Sequence, residues 1–65
     1  MNTKYRIRME GADLLSETWE TTWEEFARDN EGDDELLDAV SALRVGESEV
    51  FGGGASPIFT ITRTE

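Results

Sequence analysis

Residues Thr18 to Asp38 read TWETTWEEFARDNEGDDELLD, and the reading of this stretch decides the fold. Apolar side chains recur there at helical spacing, as Trp19, Trp23 and Phe26, and the pattern resumes at Leu36, Leu37, Val40 and Leu43. Carboxylates at the intervening positions must then point to solvent, so the stretch builds an acidic face on a small core. It holds both tryptophans and nine of the fifteen acids of the 65-residue chain.

Two helix starts are written into it. Thr22-Trp23-Glu24-Glu25 fits a capping box, in which a Thr hydroxyl and a Glu three residues on satisfy backbone amides left without helical partners. The helix that follows runs to about Asp29 and is closed by Asn30-Glu31-Gly32, because glycine tolerates the left-handed conformation of a helix end. Asp33 then caps a second helix with Asp34 and Glu35 in its first turn, where the positive end of the helix dipole favours them. That helix is expected to reach Leu43 or Arg44, with a cation in its last turn and Gly46 beyond.

Upstream, Leu14 to Thr21 supports two readings. Thr18, Trp19, Thr21 and Thr22 are better strand formers than helix formers, which makes a second strand hairpinned to the first. Leu15, Trp19, Thr22, Trp23 and Phe26 also lie on one helical face, which extends the first helix back to Asp13. The strand is the preferred assignment. Thr3 to Met9 alternates cleanly, with Tyr5, Ile7 and Met9 on one side and Lys4, Arg6 and Arg8 on the other, and so reads as a half-buried strand ending in a turn over Glu10 to Asp13.

Downstream, Ser48 to Phe51 and Pro57 to Arg63 read as strands joined by a long, flexible connection, Gly52-Gly53-Gly54-Ala55-Ser56. Phe59 and Ile61 are expected to face the core and Thr60 and Thr62 the other side, which leaves Ile58 among the threonines without an evident place. The expected fold is α+β, one domain over residues 1–65, with a small antiparallel sheet of three or four strands and two short helices packed on one face.

A chain this short folds near the lower size limit, and it has neither Cys nor His to supply disulfides or the usual zinc sets. Its core must therefore be aromatic-rich, with Trp19 and Trp23 expected mostly inside and Trp19 the one nearer a boundary. Association would add burial, so a monomer or weak homodimer is expected. No apolar run approaches the roughly 20 residues of a membrane span, and the bases near Met1 precede no apolar segment of the kind a signal peptide has. The expected location is cytoplasmic.

Charge is the loudest feature. The net charge is −9, and between Glu10 and Asp38 twelve acids face Arg28 alone, a local −11, while the remaining five bases and three acids give +2. Such a middle repels nucleic acid, anionic lipid and phosphate, and calls for a basic partner.

Catalytic constellations fail one by one. A Ser or Thr nucleophile lacks the neighbouring His or Cys chemistry it needs, paired carboxylates have no cleft room for a sugar in so small a chain, and no cofactor motif is present. Counted as a calcium loop from Asp29, Gly32 falls fourth where the sixth position needs glycine, and the twelfth is Val40 where a bidentate Glu belongs. The triple glycine lacks the Lys and following helix of a phosphate-binding loop. The reading is therefore of a non-enzyme with no cofactor and no metal site.

What remains is the acidic array. Asp34 and Asp38 lie four apart and Glu35 and Asp38 three apart on one helix, so each like-charge pair costs about 0.2 to 0.5 kcal/mol, where a sequence shaped only for stability would place Lys. Two acidic helix edges can imitate the row of phosphates on a nucleic-acid strand. Glu24, Glu25, Glu31, Asp33, Asp34, Glu35 and Asp38 are the candidate partner-binding residues. In size, charge and the stretch Glu24 to Asp38 the chain resembles phage-encoded anti-CRISPR proteins, several of which mimic DNA. That resemblance implies an inhibitor that fills the basic DNA channel of a CRISPR effector subunit. The competing reading is a structural or adaptor domain whose acidity serves solubility or a halophilic surface.

Overall fold

The computed structural model describes residues 3–11 and 14–65, and at 14 and 15 the backbone only. Its elements in chain order are β1 (Lys4–Gly11), β2 (Leu14–Thr22), α1 (Trp23–Asp29), α2 (Asp34–Ser41), β3 (Ser48–Gly53) and β4 (Ser56–Arg63). The strands form one antiparallel sheet in the order β2-β1-β4-β3, and the α+β class with four strands and two helices is as read from the sequence. Leu14 to Thr22 is strand, which settles the ambiguity of that segment. β1 runs on through Gly11, past Glu10 where the turn was expected to begin; Ala12 and Asp13 lie outside the described residues.

Register fixes the two faces of the sheet, since directly paired residues of an antiparallel ladder share a face. Tyr5 pairs with Thr21 and Arg63, Ile7 with Trp19 and Ile61, and Met9 with Glu17 and Phe59, so these residues face one way. Tyr5, Ile7 and Ile61 are buried against Phe26 of α1, Val40 of α2 and Leu43 just beyond it, forming one core with Trp23, Leu36, Leu37, Phe51 and Phe59 packed around it. Three aromatic rings organise this core: Tyr5, Trp23 and Phe26 lie in mutual contact with centroids 6.1 to 6.3 Å apart and tilted planes.

Local chemistry sets the helix ends. Thr22 ends β2 in extended conformation, and its hydroxyl accepts the N–H of Glu25 at 3.3 Å, as the capping signature requires. At the other end Asn30 is the capping residue: both its backbone N–H and its side-chain Nδ2 donate to the carbonyl of Phe26. Gly32, at φ 96°, makes the turn into α2 instead. The Asp33 carboxylate accepts the N–H of Leu36 at 3.3 Å. α2 stops at Ser41, short of the expected Leu43, with no cation in its last turn. Its final turn tightens through Leu43 N–H to Val40 O, and the chain is then drawn to the sheet where Arg63 Nη1 donates to the Leu43 carbonyl and the Gly46 N–H donates to Arg63 O.

The glycine segment is not a long loop. β3 extends through Gly53 and β4 starts at Ser56, so a tight turn over Gly54 and Ala55 joins them, with a register shift at Gly52/Gly53. Gly52 carries φ 91°, and a Cβ there would stand 2.0 Å from the Pro57 carbonyl oxygen. Gly52→Ala must therefore open the hairpin. We expect it to cost about 2 kcal/mol or more from left-handed strain and the forced backbone shift together. Gly53→Ala, which meets nothing within 4 Å, should cost only the conformational part. Paired urea midpoints check this, and equal losses would contradict it.

Burial also predicts an alkaline limit. Tyr5, the sole tyrosine, is 2 % exposed, and desolvation raises its pKa above the usual 10, against a smaller opposing pull from the Arg63 charge. Because the folded value lies above the unfolded one, the stabilisation is complete below pH of about 10 and is lost as pH rises through the folded pKa. Absorbance titration of the phenolate should show late ionisation coincident with loss of near-UV circular dichroism. Tyr5→Phe should retain its signal to higher pH than the parent; equal alkaline midpoints would contradict the role given to Tyr5.

Candidate functional site

The seven acids read from the sequence all lie exposed on the helical layer. Glu24 and Glu25 occupy the first turn of α1, Glu31 and Asp33 the connection, and Asp34, Glu35 and Asp38 the second helix. Capping explains part of this placement, since carboxylates near helix N-termini complement the dipole. Nothing in the caps requires Glu31 or Asp38. Neither of the two ion pairs among the described residues, Lys4–Glu65 at 3.2 Å and Arg8–Glu10 at 2.9 Å, draws on these seven carboxylates.

The opposite face of the sheet is uncovered and differs in character. Arg6 and Arg8 stand there in the middle of the sheet, beside Thr18 of β2 and Thr60 and Thr62 of β4. Ile58, which the sequence left without a place, falls on this face too. It is 43 % exposed, diagonal to the exposed Val50 of β3. The open face thus mixes charges, with Glu20 opposite Arg6 and Glu10 paired to Arg8, whereas the acids of the helical layer lie outside both ion pairs.

A third feature was not read from the sequence. Between the helices and the hairpin end of the sheet lies an open cleft of about 550 Å³. Trp19, Phe51 and Phe59 line it with Leu36, and Asp29, Asp33 and Glu35 stand at its rim. Trp19 was expected mostly in the core; it points to the helical side but remains 40 % exposed at the wall of this open cleft. Of the seven predicted acids the cleft gathers Asp33 and Glu35 and adds Asp29, while Glu24, Glu25, Glu31, Asp34 and Asp38 lie away from it. The available signal was the mismatch between long strands and short helices, together with an aromatic on each of β2, β3 and β4.

Among the described residues no group of three or more Asp or Glu is arranged to hold a metal ion, and no helix is long and apolar enough to cross a membrane. No protein-family model, curated protein or solved structure matches the chain.

Proposed function

We propose that this protein is an acidic DNA-mimic inhibitor that occupies the nucleic-acid-binding surface of a basic protein. The target class that the resemblance points to is a CRISPR surveillance complex in the bacterial cytoplasm. One observation carries the reading: seven exposed carboxylates are collected over the two helices and their connection, and neither ion pair among the described residues neutralises any of them. A surface whose acidity serves only hydration has no reason to crowd unpaired acids together there. A surface that must meet a basic channel has one, since long-range attraction depends on the sum and orientation of charge. Glu24, Glu25, Glu31, Asp33, Asp34, Glu35 and Asp38 supply that charge, and the partner's own counter-anions are released on contact.

The structural or adaptor reading makes the opposite forecast in salt. If the acids serve halophilic solvation, the isolated protein should unfold as salt is lowered, and no basic partner should be held. Affinity capture from bacterial lysate, with and without an excess of duplex DNA, separates the two. The inhibitor reading expects a nucleic-acid-binding protein that is retained at low salt and lost when DNA is added. Retention unaffected by DNA would overturn it.

A further inference from the structure

We propose that the cleft beside α2 is a docking groove for a segment of a basic protein partner, one that presents aliphatic or aromatic side chains between lysines or arginines. It rests on the function proposed above and adds an apolar anchor to what charge alone provides.

Coverage explains why the groove exists. The eight-residue strands β1 and β4 extend about 27 Å, whereas α1 and α2, with seven and eight residues, reach only about 10 to 12 Å. The helices bury Tyr5, Ile7 and Ile61 beneath them, while Phe51 and Phe59 pack half-buried against the edge of that core and Trp19 stays 40 % exposed, and these three rings line an open space of about 550 Å³. That volume lies within the range of ligand-binding clefts. One exposed indole and two half-buried rings in a cleft rimmed by polar groups have the make-up of a binding site, a mostly apolar wall with a few polar groups to orient the occupant.

Charge selects the occupant. Asp29, Asp33 and Glu35 ring the mouth, so nucleic acid and anionic lipid are repelled from it. A second copy of this chain is also disfavoured, because a two-fold contact sets the same patch against itself and would bring two acidic rims together. A cationic segment with an apolar anchor satisfies both parts: its Lys or Arg groups meet the rim, and its anchor side chain leaves water against Trp19 and Phe59.

The test is a heteronuclear NMR titration of the full isotope-labelled chain with two synthetic probes, an amphipathic Lys/Leu peptide and an oligolysine of equal charge. The amphipathic peptide should shift the Trp19 indole N–H and the amides of Leu36, Gly52 and Phe59, and should bind at least about tenfold more tightly than oligolysine, the factor expected from burying one aliphatic side chain. Trp19→Thr, which keeps a strand-forming residue, should remove that advantage. The isosteric triple variant D29N/D33N/E35Q, in which Asn retains the capping role of Asp33, should weaken both peptides and flatten their salt dependence. The comparison of the two peptides on the parent chain stands whether or not the variants fold. Equal affinity for the two probes, with shifts confined to the helix surfaces, would overturn the groove while leaving the charge-based function standing. Binding of neither peptide would remove both. Shifts of the Trp19 indole with protein concentration alone would assign the cleft to a second copy and overturn the proposal as well.

Discussion

Phe26→Ala should abolish cooperative folding at ordinary temperature. The ring is buried at the centre of the core, 6.1 Å from Tyr5 and 6.3 Å from Trp23 between centroids, and packs in one cluster with Val40, Leu43 and Ile61. Truncating a buried Phe to Ala costs about 3 to 5 kcal/mol, from lost transfer energy and the cavity left behind. A domain of this size rarely holds more than about 3 to 5 kcal/mol in total. Leu37→Ala, at a half-buried position, belongs at the lower end, about 2 kcal/mol. Far-UV circular dichroism and urea titration provide the readout. Midpoints unchanged by either substitution would mean that the core faces of the helices are assigned wrongly.

The second large effect concerns binding. Replacing Asp34, Glu35 and Asp38 with Ser, Gln and Ser should abolish partner binding and leave the fold intact, because the cap at Asp33 is untouched and all three residues are exposed. Two stability terms oppose each other. Relief of like-charge neighbours returns about 0.2 to 0.5 kcal/mol per pair, and loss of two acids from the first turn of α2 removes about 0.3 to 1 kcal/mol each of dipole stabilisation. The melting temperature should therefore move by only a few degrees, while loss of three of the seven charges slows association at low salt and removes the contacts that hold the complex together. Undiminished binding by this variant would sink the charge-based account and leave the Trp19 cleft as the next surface to test.

How much of this was legible in the sequence depends on whether the signal is local. Alternation in β1 is local, and so are the Thr22 and Asp33 caps; each was readable because backbone amides at helix starts and side chains on a pleated strand impose short-range patterns. Element ends were less legible. α2 stops early because Arg63, about twenty residues away, binds the Leu43 carbonyl, and the glycine segment closes in a tight turn over Gly54 and Ala55 because the pairing of Phe51 with Phe59 continues to Gly53 with Ser56. Neither cause is visible in a short window. Trp19 shows the same limit from the other side: its spacing to Trp23 and Phe26 suited a shared helix face, but the strand pairing with Ile7 wins and leaves the indole half-open on the sheet, at the wall of the cleft. The exposed position of the seven acids followed from periodicity directly, whereas the cleft that uses two of them required knowing how far the helices extend over the sheet.

The most direct measurement of the central claim is a competition experiment with the basic partner retained in the DNA-sensitive capture. Its complex with labelled duplex DNA is titrated with this protein, and free DNA is read by electrophoretic mobility. The account predicts stoichiometric release of DNA at low salt, weakened at higher salt and absent with the Asp34, Glu35 and Asp38 triple variant. A ternary complex in which DNA stays bound would contradict mimicry, because two ligands that imitate each other cannot share one surface.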